Sequence, residues 1–472
     1  MKASERAVRL SAAVLALGAL LAAAAAHARE LSPRELQARE IYEQLIEIDT
    51  THASGSTTRA AEAMAKRLRA AGVRDRDVRV LGPAERKGNL VARLRARGTP
   101  AQEPLLLLAH LDVVEAKRSD WSLDPFVLTE RDGFFYGRGT IDDKAMAAIF
   151  VALAIELARE RTPLTRDVVI ALTADEEGGG QNGARWLVEE HRELVDAGLV
   201  INEGGHGALR EGKPLYLALQ AAEKTSMNFE LVARDKGGHS SRPAPGNPIY
   251  RLAAALARVE RHAFPVQLNE VTRAYFERLA RVERKELARA AGAIAKNPRD
   301  PRAAATLAAQ PALNATLRTT CVATRIGGGH AANALPQEAR ALLNCRALPG
   351  HAYEEVRAAL ASAVDDASVE IVPVRVRESA GPARVDPEFL ATVTKISEAM
   401  WPGVPVIPTM GTGATDSTYF RLVGIPAYGV SGLFDDLDDY RAHGRDERLG
   451  VEQFYDGLEF LRRLVRELAT DR

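Results

Sequence analysis

The chain has 472 residues, of which 46% are hydrophobic and 27% are charged, a composition typical of soluble globular proteins. Its 63 basic and 63 acidic residues give a formal net charge of zero, which argues against nucleic acid or an anionic membrane as its main partner. Since a chain of this length is too long for one compact core, we expect two domains.

The first 28 residues have the pattern of a secretory signal peptide. Basic residues precede an apolar stretch over 10–26, and a small-x-small cleavage site ends at Ala28. The alternatives for this segment are an uncleaved membrane anchor and a buried helix. No later stretch of the chain is long and apolar enough to cross a bilayer. We therefore expect a secreted protein that begins near Arg29, most simply in a bacterial periplasm.

Helical and strand patterns alternate between about residues 40 and 225. The segments with helical spacing are 41–48, 60–71 and 146–157, and the continuous apolar runs typical of buried strands are 89–94, 105–109, 168–172 and 199–201. This alternation predicts an α/β domain in which helices cover a mainly parallel sheet.

The pattern changes near residue 225 to an alternating, half-exposed strand. An Arg- and Ala-rich helical region follows at 273–317, where interleaved acidic and basic residues indicate a solvated helix surface rather than a nucleic-acid patch. The earlier pattern then resumes. We therefore expect one domain formed by 29–225 and 381–472, with a second domain inserted at 226–380.

Two cysteines, Cys321 and Cys345, make up the whole cysteine content, and no CxxC spacing suggests a thiolate metal site. Each lies in a strand-like run, and a hairpin centred near Asn333 would set the two opposite each other. They would then form a disulfide, which an oxidising compartment permits, or they would be two buried free thiols.

Four stretches carry side chains that commonly bind metal ions, and in three of them these side chains end an apolar run. One carries adjacent Asp142 and Asp143 on a glycine loop before an apolar helix. The other three supply His110 with Asp112, Glu176 with Glu177, and Glu203, each after a predicted strand. Because ligands of open parallel sheets bind beyond the carboxyl ends of the strands, these side chains can reach one crevice.

Each of these residues alone has a simpler explanation. A histidine after a strand is more often a structural hydrogen-bonding group, and an acidic pair before glycines is more often a solvated loop. Asp142 and Asp143 would serve as N-caps of the following helix, as carboxylates before helices usually do. Their joint occurrence favours a single metal site, because one site accounts for all of them together.

The charge of the candidate ligands indicates how many ions they would hold. Asp142, Glu177 and Glu203 with two neutral imidazoles overcompensate one divalent ion, whereas two zinc ions and one bridging hydroxide make the set neutral. If Asp142 bridges, each ion has the four ligands that zinc prefers. The second imidazole is expected late in the chain, where His443 lies in a polar loop after a strand. Asp143 is then expected to have only a supporting role, in helix capping or loop geometry.

These blocks resemble those of the aminoacylase, carboxypeptidase S and glutamate carboxypeptidase family of co-catalytic zinc hydrolases, from about residue 40 to the C terminus. The resemblance implies a zinc-hydrolase catalytic domain and an inserted α+β ferredoxin-like domain that is a lid and often a dimer contact. It implies two Zn²⁺ ions per chain, for which Co²⁺ or Mn²⁺ can substitute. The implied ligand sets are His110, Asp142 and Glu203 for one ion and Asp142, Glu177 and His443 for the other.

The resemblance also implies roles for residues that do not bind metal. Glu176 would be the general base, which its position beside a ligand permits, and Asp112 would orient His110. In a glycine-rich block of the inserted domain, His239 would stabilise the oxyanion, although without the resemblance it would be interpreted as a turn residue. Asn333 would contact the substrate.

Arg346 would bind a substrate carboxylate through paired hydrogen bonds, or it would be a surface residue of a strand. The loop 411–417 resembles a family block that lines the substrate pocket, in which Asp416 is expected to be structural. The expected function is hydrolysis of an amide or peptide bond adjacent to a free carboxylate, as a carboxypeptidase or dipeptidase. The alternatives are an N-acyl-amino-acid amidohydrolase and a non-catalytic metal- or peptide-binding protein, which would not need Glu176.

Overall fold

The computed structural model describes residues 30–100, 102–178, 180–243, 245–376, 378–382 and 384–470. The predicted signal peptide lies outside these ranges. Within them, no helix combines the length and apolar character needed to cross a membrane.

The helices of the described ranges are numbered in chain order. They are α1 (Pro33–Glu47), α2 (Thr57–Ala70), α3 (Lys144–Glu160), α4 (Gly183–Glu190), α5 (Arg192–Val195), α6 (Pro248–Arg261), α7 (Glu270–Val282), α8 (Lys285–Lys296), α9 (Pro301–Ala308), α10 (Pro311–Leu317), α11 (Tyr353–Val364), α12 (Pro387–Met400), α13 (Ser417–Leu422) and α14 (Val451–Ala469).

The strands are numbered in the same way. They are β1 (Val78–Leu81), β2 (Asn89–Leu94), β3 (Leu105–His110), β4 (Thr129–Arg131), β5 (Phe134–Tyr136), β6 (Val168–Thr173), β7 (Leu199–Asn202), β8 (Gly207–Arg210), β9 (Lys213–Glu223), β10 (Thr225–Arg234), β11 (Gly238–His239), β12 (Thr320–Gly328), β13 (Ala334–Leu335), β14 (Glu338–Ala347), β15 (Val369–Arg375), β16 (Val406–Gly411), β17 (Ala427–Gly429), β18 (Phe434–Asp436) and β19 (Arg448–Gly450).

A ten-stranded sheet forms the centre of the main domain, in the order β1-β2-β6-β3-β7-β17-β9-β8-β18, with β16 beside β9. The strands from β6 to β17 run parallel, whereas β1 and β2 are antiparallel to their neighbours. The predicted α/β fold with a mainly parallel sheet is therefore confirmed. Its carboxyl-terminal edge brings together the ends of β3, β6 and β7, which precede the candidate ligands.

Helices cover both faces of this sheet, which explains the continuous apolar runs in its central strands. Leu105 and Leu107 of β3 pack in one core with residues of α1, α2, α3 and α14. Leu106 and Leu108 point to the opposite face and pack with residues of α4 and α13. Helix α3 is apolar nearly all round and buried along most of its length, so the loop at its N terminus is fixed against the core.

A second, antiparallel sheet has the strand order β12-β14-β10-β15 and is covered by α6 and α11. Its elements follow along the chain as β10-α6-β12-β14-α11-β15, the β-α-β-β-α-β order of ferredoxin-like folds. It has its own apolar core, separate from that of the main sheet. On this basis we propose 226–380 as the boundaries of the inserted domain.

The helical region that the sequence predicts at 273–317 forms α7 to α10, between α6 and β12. It is more than a solvated surface, because its apolar residues build a separate core that includes Phe276, Ile294 and Leu307. The charged residues lie between these apolar positions. The segment therefore combines a small helical core with an exposed, charged surface.

Cys321 and Cys345 face each other across the antiparallel pair of β12 and β14, the register that a hairpin centred near Asn333 predicts. The two residues form a disulfide. The bridge joins an edge strand of the inserted domain to its central strand, and Cys345 contributes to the apolar core beneath it. Of the two alternatives that the sequence leaves open, the structure contains the bridged form.

Candidate metal centre

Three ligand-type side chains meet at the carboxyl ends of β3 and β7. His110 is the last residue of β3, Glu203 follows β7, and Asp142 lies on the glycine loop before α3. The Nε2 atom of His110 lies 2.8 Å from Oδ1 of Asp142 and 3.8 Å from Oε2 of Glu203. Their ligand atoms are close enough together to hold one metal ion.

A second group of ligand-type side chains shares Asp142 with the first. The Nε2 atom of His443 lies 2.9 Å from Oδ2 of Asp142 and 2.6 Å from Oε1 of Glu177. One oxygen of Asp142 therefore faces each histidine, as a bridging carboxylate requires. The structure brings the five predicted metal ligands together, in the two predicted sets.

The donor set fits a divalent cation such as zinc. The Nδ1 atom of His110 lies 2.9 Å from the backbone oxygen of Asp112 and donates its hydrogen there, which leaves the Nε2 lone pair for a metal ion. Burial, together with the charge of Asp142, raises the pKa of Glu203 well above its ordinary value. A divalent cation would offset this accumulation of buried negative charge.

Asp112 contacts both His110 and the acidic pair. The backbone oxygen of Asp112 accepts the hydrogen bond from Nδ1 of His110, and the nearest carboxylate oxygen lies 3.7 Å from Nδ1. That carboxylate instead accepts hydrogen bonds from the backbone N–H groups of Glu176, at 3.1 Å, and Glu177, at 3.0 Å. Asp112 thus links the histidine at the end of β3 to the acidic pair after β6.

Glu176 belongs to neither ligand group, although its neighbour Glu177 does. Burial is the main cause that raises the pKa of Glu176 well above its ordinary value, and nearby carboxylates add to it. Bound cations would act in the opposite direction. A buried carboxyl group whose proton affinity is set by such opposed effects is suited to accept and release a proton.

The loop that carries the acidic pair is held by Asp175, which is not among the site residues predicted from the sequence. Its backbone is in the left-handed region, with φ at 60°. Its carboxylate forms an ion pair with Lys87 at 2.6 Å and accepts hydrogen bonds from the backbone N–H groups of Gly180 and Gln181. No local pattern in the sequence predicts the contact between Asp175 and Lys87, which lie 88 positions apart.

Asp143 lies at the N-cap position of α3, but its side chain makes no capping hydrogen bond. The interpretation of Asp143 as a helix cap is therefore wrong, whereas its role in loop geometry stays a prediction. Its side chain is fully buried. The peptide bond between Asp142 and Asp143 is cis. Asp416 accepts hydrogen bonds from Thr173 and Asn182 inside the main domain, which agrees with its predicted structural role.

A cleft of ≈ 580 Å³ opens beside the ligand groups, between the two domains. Glu176, Glu177 and His443 line one side of it, and Arg346 lines it from β14 of the inserted domain. The arginine predicted to contact substrate therefore shares a cleft with the metal ligands.

His239 and Asn333 lie together but outside this cleft. His239 is exposed on the short ladder of β11 and β13, and the backbone oxygen of Asn333 accepts a hydrogen bond from the N–H of Ser240 at 3.0 Å. Neither residue is among those that line the cleft of its own chain. Their contacts with substrate stay predictions.

Residues 106–467 match the family model described as Peptidase family M20/M25/M40, and this segment contains all the candidate site residues from His110 to His443. The chain belongs to this family. The resemblance that the sequence blocks indicate is therefore confirmed. Carboxypeptidases, dipeptidases and N-acyl-amino-acid hydrolases are found among the M20 relatives, and this chain is an M20-family hydrolase.

The human N-fatty-acyl-amino acid synthase/hydrolase PM20D1 is 30% identical over 383 residues, which cover 79% of this chain and 75% of that protein. Probable carboxypeptidase S-like 2 of Dictyostelium discoideum is 27% identical over 379 residues, which cover 77% of this chain and 71% of that protein. The crystal structure of the M20 family metallo-carboxypeptidase Sso-CP2 from Sulfolobus solfataricus superposes with a TM-score of 0.67 over 91% of this chain and 98% of that chain. At 18% identity, this match shows the shared fold.

Proposed function

We propose that this M20 protein is a two-zinc hydrolase that cleaves an amide bond adjacent to a free carboxylate. The observation that carries the proposal is the pair of ligand groups that share Asp142, with Glu176 beside them in a cleft. His110 and Glu203 would complete one zinc site, and Glu177 and His443 the other. Two zinc ions bound there would polarise the substrate carbonyl and lower the pKa of a water molecule.

Glu176 would transfer the proton that this reaction requires. Its carboxylate would accept a proton from the attacking water and then deliver it to the nitrogen that leaves when the amide bond breaks. Asp112 supports this role, because its carboxylate holds the backbone N–H of Glu176 while its backbone oxygen holds His110. These contacts would hold Glu176 at a fixed position relative to His110 of the first zinc site.

Arg346 would bind the free carboxylate of the substrate from the opposite side of the cleft. A guanidinium group can form two parallel hydrogen bonds with a carboxylate, which fixes both position and orientation. Because Arg346 belongs to the inserted domain and Glu176 to the main domain, the substrate would be held between the two domains.

Replacing this arginine, as Arg346→Met, is expected to raise KM by about 10- to 100-fold, the effect of losing a hydrogen-bonded charged contact. The matched control is Arg340→Met, on the same strand and face, because Arg340 pairs with Glu230 and Glu338 outside the cleft. Steady-state kinetics should show a normal KM for this control. A substrate with a carboxamide in place of the carboxylate should be equally poor for wild type and Arg346→Met; a persistent difference would contradict the assignment.

A second candidate function, hydrolysis of N-acyl amino acids, is favoured by apolar residues at the rim of the cleft. Val376 is 67% exposed, and Leu422 is also exposed, although both are apolar and line the same cleft. An apolar acyl chain would cover such side chains on binding. The name of the human relative, an N-fatty-acyl-amino acid synthase/hydrolase, supports this candidate.

The deciding experiment is an assay of zinc-reconstituted protein on dipeptides and on N-acyl amino acids of increasing chain length, with and without a chelator. We expect hydrolysis of at least one class, its loss on chelation and its return with Zn²⁺. Rising kcat/KM with acyl length would favour the N-acyl substrates over dipeptides. Activity that survives thorough chelation would contradict the zinc mechanism, and no turnover of any substrate would favour a non-catalytic binding protein.

We also propose that the protein forms a homodimer through the inserted domain. Strand β12 is an edge strand, and its Val322 and Ile326 are 60% and 68% exposed. Exposed apolar side chains on an open strand edge are typical of a surface that pairs with another chain. Because β12 leads directly to the loop with Asn333, the dimer would bring Asn333 and His239 toward the partner subunit.

Secretion through the predicted signal peptide at 1–28 is a further part of the proposal. The disulfide between Cys321 and Cys345 supports it, because such bridges persist in oxidising compartments such as the bacterial periplasm.

A further inference from the structure

Arg138 and Glu447 form a buried ion pair next to the candidate metal centre. The Nη1 atom of Arg138 lies 2.5 Å from Oε2 of Glu447, and the two side chains are only 3% and 0% exposed. They lie 309 positions apart, yet each is within five residues of a candidate ligand, Asp142 in one loop and His443 in the other. The pair therefore connects two of the three loops that form the second ligand group.

Glu447 holds the loop of Asp142 with its other carboxylate oxygen. This Oε1 atom accepts hydrogen bonds from the backbone N–H of Ile141 at 2.8 Å and of Asp142 at 3.3 Å. The backbone oxygen of Glu447 also accepts a hydrogen bond from the N–H of Gly137. The position of the shared carboxylate thus depends on a residue in the loop that carries His443.

Arg138 holds the loop of His443 in return. Its Nη2 atom donates to the backbone oxygens of His443, at 3.4 Å, and Gly444, at 3.0 Å. His443 has a φ of 62°, in the left-handed region that a residue with a Cβ atom rarely adopts. Such a conformation persists only where surrounding contacts enforce it, and the guanidinium of Arg138 provides those contacts.

We infer that Arg138 and Glu447 are positioning residues that set the second zinc site, formed by Asp142, Glu177 and His443. This inference rests on the proposed two-zinc function. Neither residue belongs to a ligand group or lines the cleft, and the pair acts by fixing the backbones that carry two of the three ligands. Asp142 belongs to both sites, but the pair also holds His443 of the second site. His110 of the first site has a separate anchor in the backbone of Asp112, so the first zinc site depends less on the pair.

A purely stabilising role would have different consequences. Buried ion pairs contribute little net stability, because desolvation of both charges offsets their attraction. A structural pair would also affect both zinc sites equally, through the folded fraction alone. A positioning pair affects the second site selectively in protein that remains folded.

The test is calorimetric titration of metal-free protein with Zn²⁺, for wild type, Glu447→Gln and Arg138→Lys. We expect wild type to bind two ions, and both variants to bind the second about 10- to 100-fold more weakly, as when other supporting contacts of ligands are removed. Binding of the first ion, which shares only Asp142 with the contacts of the pair, should weaken much less. Arg138→Lys retains the charge but loses the guanidinium fork, so it tests positioning if Glu447→Gln does not fold. Co²⁺ absorption should show the same selective loss.

The matched control is Asp167→Asn, which breaks the largely buried pair of Arg93 and Asp167 at the amino-terminal end of β6. It should bind both ions normally, even if its melting temperature falls as much as that of Glu447→Gln. Equal binding by wild type and both variants, equal loss of both sites, or the same selective loss in Asp167→Asn would overturn the inference. Failure of wild type to bind two ions would instead contradict the proposed function.

Discussion

Glu176→Gln is expected to lower kcat by about 10²- to 10⁴-fold, the usual contribution of a positioned general acid–base group, while the protein still binds two zinc ions. The amide retains the size of the carboxyl group but accepts no proton at neutral pH. Glu176 belongs to neither ligand group, so the metal content should not change. The measurement combines kcat at saturating substrate with zinc analysis of the purified variant.

The neighbouring residue provides the sharpest comparison. Glu177→Gln removes a carboxylate that lies 2.6 Å from His443, and should lower the zinc content of the second site as well as the activity. Glu190→Gln, an exposed position on α4, should change neither quantity. Loss of zinc from Glu176→Gln, or kcat within a few fold of wild type, would contradict the assignment of Glu176 as the proton-transfer group.

Most of the candidate metal ligands could be predicted because they follow a recognisable local pattern. His110 and Glu203 come at or just after apolar strands, and parallel strands in one sheet present their carboxyl ends to the same edge. The alternation of strands and helices therefore determines where these residues meet. The opposing cysteines could be predicted for a similar reason, since a hairpin fixes which positions face each other.

Other features could not be predicted, because they depend on contacts that no local pattern encodes. The anchor of His110 is a backbone oxygen, which every residue carries, so the residue type at 112 does not indicate this contact. Arg138 and Glu447 are paired by the approach of two distant loops, although both lie in the blocks that supply ligands. Their unusual combination of charge and complete burial becomes visible only in the folded protein.

Replacement of His239 by alanine is expected to lower kcat by about 10²- to 10³-fold, as when an oxyanion donor is removed, without loss of zinc. The Nδ1 atom of His239 accepts a hydrogen bond from the backbone N–H of Ser241 at 3.1 Å, which places the ring proton on Nε2. The exposed ring therefore presents a hydrogen-bond donor to its surroundings. Since His239 does not line the cleft of its own chain, we expect it to act on substrate in the partner subunit.

Mixed dimers of His239→Ala and Glu176→Gln chains test this arrangement directly. If His239 acts across the dimer, a mixed dimer has one site with both groups intact, so an equal mixture should recover about a quarter of wild-type activity under random pairing. If His239 acts within its own chain, every site lacks one group and the mixture stays inactive. The double substitution Val322→Asp with Ile326→Asp, at the exposed edge of β12, should dissociate the dimer and abolish the recovery. Recovery that persists in protein shown to be monomeric by light scattering would contradict the proposed interface.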